Sequence, residues 1–128
     1  SRGLPAERRL ADKGWKGVKM TVESFAKDAG FKVLCMPSPE REIEGAYIGD
    51  LLSWVMGNAS TGNVWITIMS NINIVAVATL VDASCIILAE DVTPDEDALN
   101  AAKAKGVNIL STPLSAYDAA IKLSEIIR

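Results

Sequence analysis

Residues 64–110 begin VWITIM, pass through SNIN into IVAVATLVD, and continue as CIILA, EDVTPDEDALNAAKAKG and VNIL. Val64–Met69 is β-branched, aromatic and uncharged, the composition of a central strand covered on both faces of a parallel sheet. Ile72–Asp82 has only Asn73 and Thr79 against an apolar background, which predicts a helix buried on most sides, by the sheet or by a second copy of the chain. Cys85–Ala89 is a second apolar strand. Thr93-Pro94-Asp95-Glu96 reads as a helix start, with Thr93 as the cap, Pro94 at the first helical position and Glu96 reaching back. That helix ends at Gly106, and Val107–Leu110 is a third core strand. Strands and helices that alternate through short loops predict a parallel sheet with right-handed crossovers.

Working outward, Thr21 caps a short helix to Ala29 that Gly30 stops, and Phe31–Met36 is a strand ended by Pro37-Ser38-Pro39. Arg41–Ala46 reads as a short edge strand leading into Tyr47-Ile48-Gly49-Asp50, where Asp50 is placed to cap a helix over Leu51–Ala59 with Trp54 at the edge of its apolar face. Thr61-Gly62-Asn63 makes a turn. At the other end Ser115 or Thr112 caps a last helix whose Tyr117, Ala120, Ile121, Ser124 and Ile127 share a face. The expected architecture is α/β: one domain, three layers α/β/α, with a mostly parallel sheet of about 4–5 strands.

The chain of 128 residues, 49% hydrophobic and 23% charged, is of one-domain size. Residues 1–19 hold Arg2, Arg8, Arg9, Lys13, Lys16 and Lys19 against Glu7 and Asp12, a net +4, which leaves −7 for the rest of a chain of net charge −3. They read as a basic leader, upstream of or foreign to a native chain starting at Met20, with the domain over residues 20–128. An acidic body repels a phosphate backbone, so no nucleic-acid partner is expected. No stretch is apolar enough to span a bilayer and no secretory signal opens the chain, so no membrane partner and a cytoplasmic location are expected. The absence of His removes Ser/His/Asp and Cys/His nucleophiles and histidine metal sites. Cys35 and Cys85, each among apolar neighbours, read as inert buried thiols and not as a disulfide or a zinc site.

In parallel sheets ligands sit beyond the carboxyl ends of the strands, beside helix N-termini. Three loops qualify. Ser70 and Asn71, with Asn73 beyond them, leave the central strand and offer hydroxyl and amide groups to a sugar, amide or phosphate edge. Glu90 ends the next strand, beside Asp91, and the pair suits a ribose hydroxyl or Mg²⁺. Ser111 and Thr112 end the third. Each set also serves as helix caps or solvated loop charge. Gly57–Asn63 has phosphate-loop glycine spacing, but Asn63 stands where the phosphate-binding Lys belongs and the segment precedes a strand. Glu42, Glu44, Asp50 and Asp82 fall on different elements, so no acid/base pair, catalytic residue, metal or cofactor is assigned.

The stretch Gly45-Ala46-Tyr47-Ile48-Gly49-Asp50-Leu51-Leu52-Ser53-Trp54-Val55-Met56, with residues 64–99 (VWITIMSNINIVAVATLVDASCIILAEDVTPDEDAL) and 109–120 (ILSTPLSAYDAA), resembles the stand-alone DRTGG-domain proteins of bacteria. The resemblance covers about residues 20–127. Related domains stand beside the catalytic part of HPr kinase/phosphorylases and phosphotransacetylases, and between the CBS repeats of regulated pyrophosphatases. The naming motif is absent; its register falls at Asn71, Ile72, Asn73, Ile74 and Val75. The resemblance implies a regulatory, non-catalytic, oligomer-forming or ligand-sensing domain. The leading expectation is a homodimer that binds a nucleotide or other small phosphorylated ligand through Ser70, Asn71, Asn73, Glu90, Ser111 and Thr112. A ligand-free module that docks a protein partner, in a redox or hydrogenase setting, through Ile72–Asp82 or through Trp54 and Met56 is the alternative. A small phosphate or acyl transferase is the third class.

Overall fold

A computed structural model describes residues 20–127, and the basic leader, residues 1–19, lies outside the described residues. In chain order the elements are α1 (Val22–Ala29), β1 (Lys32–Cys35), β2 (Gly45–Ile48), α2 (Leu52–Asn58), β3 (Asn63–Thr67), α3 (Asn73–Val81), β4 (Cys85–Leu88), α4 (Glu96–Lys105), β5 (Ile109–Ser111) and α5 (Ala116–Ile127). The five strands form one sheet in the order β1-β5-β4-β3-β2, parallel throughout except for β1, which runs antiparallel to β5. The expected three-layer α/β/α arrangement is what forms, with β3 an interior strand covered on both faces and β4 beside it at the middle of the order.

Strand side chains alternate between faces, and each face has its own core. Trp65, Ile86, Leu88 and Ile109 point one way and pack with Val55 of α2, Ile74, Val75 and Ala78 of α3, and Ala102 of α4. Val64, Ile66, Cys85, Ile87 and Leu110 point the other way onto Val22, Phe25 and Ala26 of α1 and Ala119 and Leu123 of α5. Burial on both sides explains why these strands are continuous apolar runs; each fully buried side chain of this size contributes about 1.5–3 kcal/mol. The Trp65 indole, wholly buried, donates from Nε1 to Gly49 O at 2.9 Å, which satisfies its polar edge. Three helices cover one face and two the other, so the edge strand β2 keeps Ala46 and Ile48 exposed while Tyr47 packs inward.

Several sequence expectations are corrected. The edge strand is Gly45–Ile48, displaced toward the C-terminus from Arg41–Ala46. Asp50 does not cap α2, whose N-cap Leu51 makes no side-chain bond; the Asp50 carboxylate is engaged by β3 instead. The helix after Pro94 begins at Glu96 with Asp95 as N-cap, so Thr93 lies outside it. In α5 the buried residues are Ala119 and Leu123, while Tyr117 and Ile121 face solvent. A run of small and large apolar residues on a helix leaves the choice of face to tertiary packing. The apolar α3 lies on the sheet with α2 and α4 on either side, which buries Ile74, Val75, Val77, Ala78 and Val81, while Leu80 stays 68% exposed.

Other local readings hold. Thr21 Oγ1 accepts from Ser24 N at 3.1 Å, and Gly30 and Gly106 close α1 and α4 in the left-handed conformation. Ser115 Oγ accepts from Asp118 N at 3.1 Å and starts α5. Cys35 and Cys85 are free and buried, in the cores on opposite faces of the sheet. Their strands are separated by β5, about 9–10 Å at ordinary strand spacing, beyond the reach of a disulfide.

Candidate functional site

The loops that follow β3, β4 and β5 converge at the carboxyl end of the sheet, and backbone hydrogen bonds join them. Asp95 N donates to Ser70 O at 2.9 Å, which ties the start of α4 to the β3–α3 loop. Glu90 N donates to Leu114 O at 2.8 Å and Asp91 N to Thr112 O at 2.9 Å, which ties the β4 exit to the β5 exit. Both of these N–H groups are turned by an uncommon backbone: Glu90 and Asp91 have φ of 59° and 60°, and Val92 N closes back on Ala89 O. Two successive left-handed residues make a primed turn, a geometry that glycine and asparagine adopt more readily than glutamate.

The six residues singled out from sequence differ in what they offer. Asn71 Oδ1 accepts from Asn73 N at 2.9 Å, and the two backbone bonds Ile74 N to Asn71 O and Val75 N to Ile72 O complete the first turn of α3. The Asn71 amide therefore acts as the local cap of a helix whose first turn carries no acidic residue. Ser70 is half-buried and Asn73 and Glu90 are exposed, so their side chains are open to a ligand. Ser111 and Thr112 are buried, and the Thr112 hydroxyl accepts from Leu114 N at 3.2 Å. The structure thus gathers all six at one end of the sheet and gives the surface of that end to Ser70, Asn71, Asn73 and Glu90.

Asp50 joins this end from β2. Its Oδ1 accepts from the buried Thr67 Oγ1 at 2.7 Å and from Ile68 N at 3.0 Å. Sequence reasoning missed this role because an acid before a helix reads as a cap whatever strand lies beside it. Asn108 was missed too: it is buried at the opposite end of the sheet, accepts from Ser38 N at 2.9 Å, and donates to Ser38 O at 2.7 Å and Ser84 O at 3.0 Å. A lone Asn within an apolar strand was the available signal.

At the carboxyl end Lys32, which opens antiparallel β1 opposite Ser111, puts a cation on the β5 side, whereas the loops after β3 and β4 hold none. No Lys or Arg lies between Arg41 and Lys103, an interval that holds nine Asp and Glu residues. Among the described residues the one ion pair, Arg41 with Asp82 at 3.1 Å, is at the amino end of the parallel strands. No group of three or more His, Cys, Asp or Glu among the described residues is arranged to hold a metal ion. A depression of about 320 Å³ lies elsewhere, between α1 and the outer edge of β1, lined by Glu23, Ala26, Lys27, Phe31, Val33 and Met36. No helix among the described residues is long and apolar enough to cross a membrane.

Neither a protein-family model nor a curated protein matches the sequence. The solved structures include one of similar fold: the CBS and DRTGG domains of the regulatory region of Clostridium perfringens pyrophosphatase, complexed with the activator diadenosine tetraphosphate. The likeness has a TM-score of 0.64 at 14% sequence identity and covers 80% of this chain. This chain spans 45% of the length of that one. At that identity the likeness establishes the fold: this chain folds like part of a CBS and DRTGG region.

Proposed function

We propose that this chain is a stand-alone relative of DRTGG domains, a non-catalytic regulatory module of the cytoplasm that works as a homodimer. It senses a nucleotide or other small ligand at the carboxyl ends of β3, β4 and β5. The observation that carries this reading is the fold shared with a regulatory region whose structure holds a nucleotide activator. The convergence of Ser70, Asn71, Asn73 and Glu90 at one end supports it, since ligands of parallel sheets bind there. Ser70 and Asn73 supply hydroxyl and amide groups for a sugar or base edge. The loops after β3 and β4 offer phosphates no cation, so a nucleotide binds there with a divalent cation or through its nucleoside, or turns its phosphates toward Lys32, which opens β1 opposite Ser111.

The test is a thermal-shift screen of the full chain against adenine and guanine nucleotides, dinucleotides and acyl and sugar phosphates, with and without Mg²⁺. A ligand at about 100 times its Kd adds about 2.7 kcal/mol of stability. The expected result is a gain that falls in Asn71→Ala, whose own fold loses no more than about 2 kcal/mol with its cap. Equal ligand gains in variant and parent overturn the site, and no gain across the panel overturns the sensing reading. A second reading, a ligand-free module that docks a protein, is favoured by the exposure of Leu51 and Trp54, 61% and 62%.

A further inference from the structure

The two edges of the sheet are finished differently. β1 opens with Lys32, carries an irregularity between Val33 and Cys35, and is followed by Pro37, three features that keep a further strand from pairing. β2, Gly45-Ala46-Tyr47-Ile48, has no charge, proline or irregularity, and among the described residues it has a partner, β3, on one side only. Gly49 N donates to Ile66 O at 3.2 Å, and N–H groups alternate sides along a strand, so Ala46 and Ile48 turn theirs away from β3. The Ile48 residue is also 48% exposed. An uncovered apolar edge of this kind is a template for another strand.

The pairing just before β2 points to the source of that strand. Thr21 and Glu42 form an antiparallel bridge, and Val22 N donates to Arg41 O and Ile43 N to Met20 O, each at 2.9 Å. Ile43 N and Glu44 N face opposite sides, the first toward Met20 and the second toward Gly62, which leads into β3. Met20 therefore lies on the side away from β3, and an extended path back from it follows β2 antiparallel along the free edge. Residues 13–19 read KGWKGVK, with three Lys, no acid, and Trp15 and Val18 as strand formers; β2 has Glu42 and Glu44 before it and Asp50 after it. Seven extended residues reach about 23 Å, enough to pass the four of β2 and arrive at Asp50. The β2 of a second copy, paired about a two-fold axis, sets Glu42 and Glu44 against Asp50 and is repelled. We infer that residues 13–19 of this chain add to β2 as a sixth, antiparallel strand, with Lys19 beside Glu44 and Lys13 at the Asp50 end. The inference does not rest on the ligand reading, and no ligand enters its test.

The experiment is amide hydrogen exchange of the full chain, followed residue by residue by NMR. Lys13→Glu/Lys16→Glu/Lys19→Glu breaks the charge match, and Lys16→Pro/Val18→Pro breaks the strand backbone. The Ala46 and Ile48 amides are expected to exchange about tenfold faster, or more, in each of these variants than in the parent, while the β4 amides stay equally slow in all three proteins and so report an intact fold. Lys27→Glu/Lys103→Glu/Lys105→Glu, at exposed positions of α1 and α4, is expected to leave Ala46 and Ile48 as slow as in the parent. Exchange of Ala46 and Ile48 at the rate of an unpaired amide in the parent overturns the inference, as does protection that survives in both segment variants or an equal loss in the α1/α4 control. Protection that fades on dilution assigns the edge to a second copy and overturns it as well.

Discussion

Thr67 Oγ1 donates to Asp50 Oδ1 at 2.7 Å, and the same oxygen accepts from Ile68 N, so one exposed carboxylate fixes the exits of β2 and β3 against each other. Thr67 is buried, and its hydroxyl also accepts from Met69 N at 3.2 Å. Asp50→Ala removes the acceptor and is expected to cost about 1–3 kcal/mol, the range for a buried polar group left unpaired. Asp50→Asn keeps an acceptor oxygen and costs less. Urea unfolding of the three proteins checks this; an unchanged midpoint for Asp50→Ala would show that water replaces the carboxylate without loss.

At the amino end of the parallel strands the Asn108 amide clamps Ser38 from both sides, accepting from its N–H and donating to its carbonyl, with a third bond to Ser84 O. Asn108→Leu is close in volume but orphans two carbonyls and one N–H, so it is expected to destabilise by about 2–4 kcal/mol. Ser38→Ala removes only the hydroxyl bond to Gly106 O and costs about 1 kcal/mol. Similar losses in the two variants, measured by chemical denaturation, would contradict the clamp.

The fold was readable where burial alone decides the residue. VWITIM and CIILA are strands because both sheet faces are covered, and Gly30 and Gly106 stop helices because each takes a positive φ. What was not readable depends on partners distant in sequence. Whether Asp50 caps a helix or holds a strand turns on Thr67, and which side of α5 is buried turns on where the sheet lies. The candidate loops were found by topology, yet burial separates Ser111 and Thr112 from Ser70 and Asn73, and the sequence carries no trace of that difference. The left-handed pair Glu90 and Asp91 was equally hidden, since glutamate is not a residue that announces a primed turn.

Two glycines behave oppositely when given a Cβ. Gly57 is within α2 and a methyl there meets nothing within 4 Å, so Gly57→Ala is expected to stabilise by about 0.5–1 kcal/mol through helix propensity. Gly62 has φ of 81°, and its added Cβ falls 2.8 Å from Glu44 Cγ. Gly62→Ala therefore costs at least about 1–2 kcal/mol from the left-handed backbone, with the Glu44 side chain displaced in addition. Thermal unfolding separates the two signs, and a stabilised Gly62→Ala would place that turn in another conformation.

The two thiols give the protein an alkaline limit. Burial pushes the Cys85 thiol up to about 12, while its hydrogen bond with Ser84 and the charge of Arg41 pull more weakly the other way. Burial also raises Cys35, against a backbone hydrogen bond at Ile109 and the charge of Lys103. Once the pH exceeds the ordinary thiol value of 9.0, the unfolded chain loses these protons and the folded one retains them. The folded state then binds more protons, so stability falls as pH rises, by up to about 1.4 kcal/mol per pH unit for each thiol. Below that range the thiols contribute no pH dependence. Chemical denaturation across this range is expected to show the decline, and Cys85→Ala to flatten it, whatever the variant costs in packing. At neutral pH a thiolate-selective reagent is expected to label Cys85 only as fast as the chain opens, with the rate rising in step with urea unfolding. Labelling of the native protein at the rate of a free cysteine would contradict its burial in the core between the sheet and the α1/α5 layer.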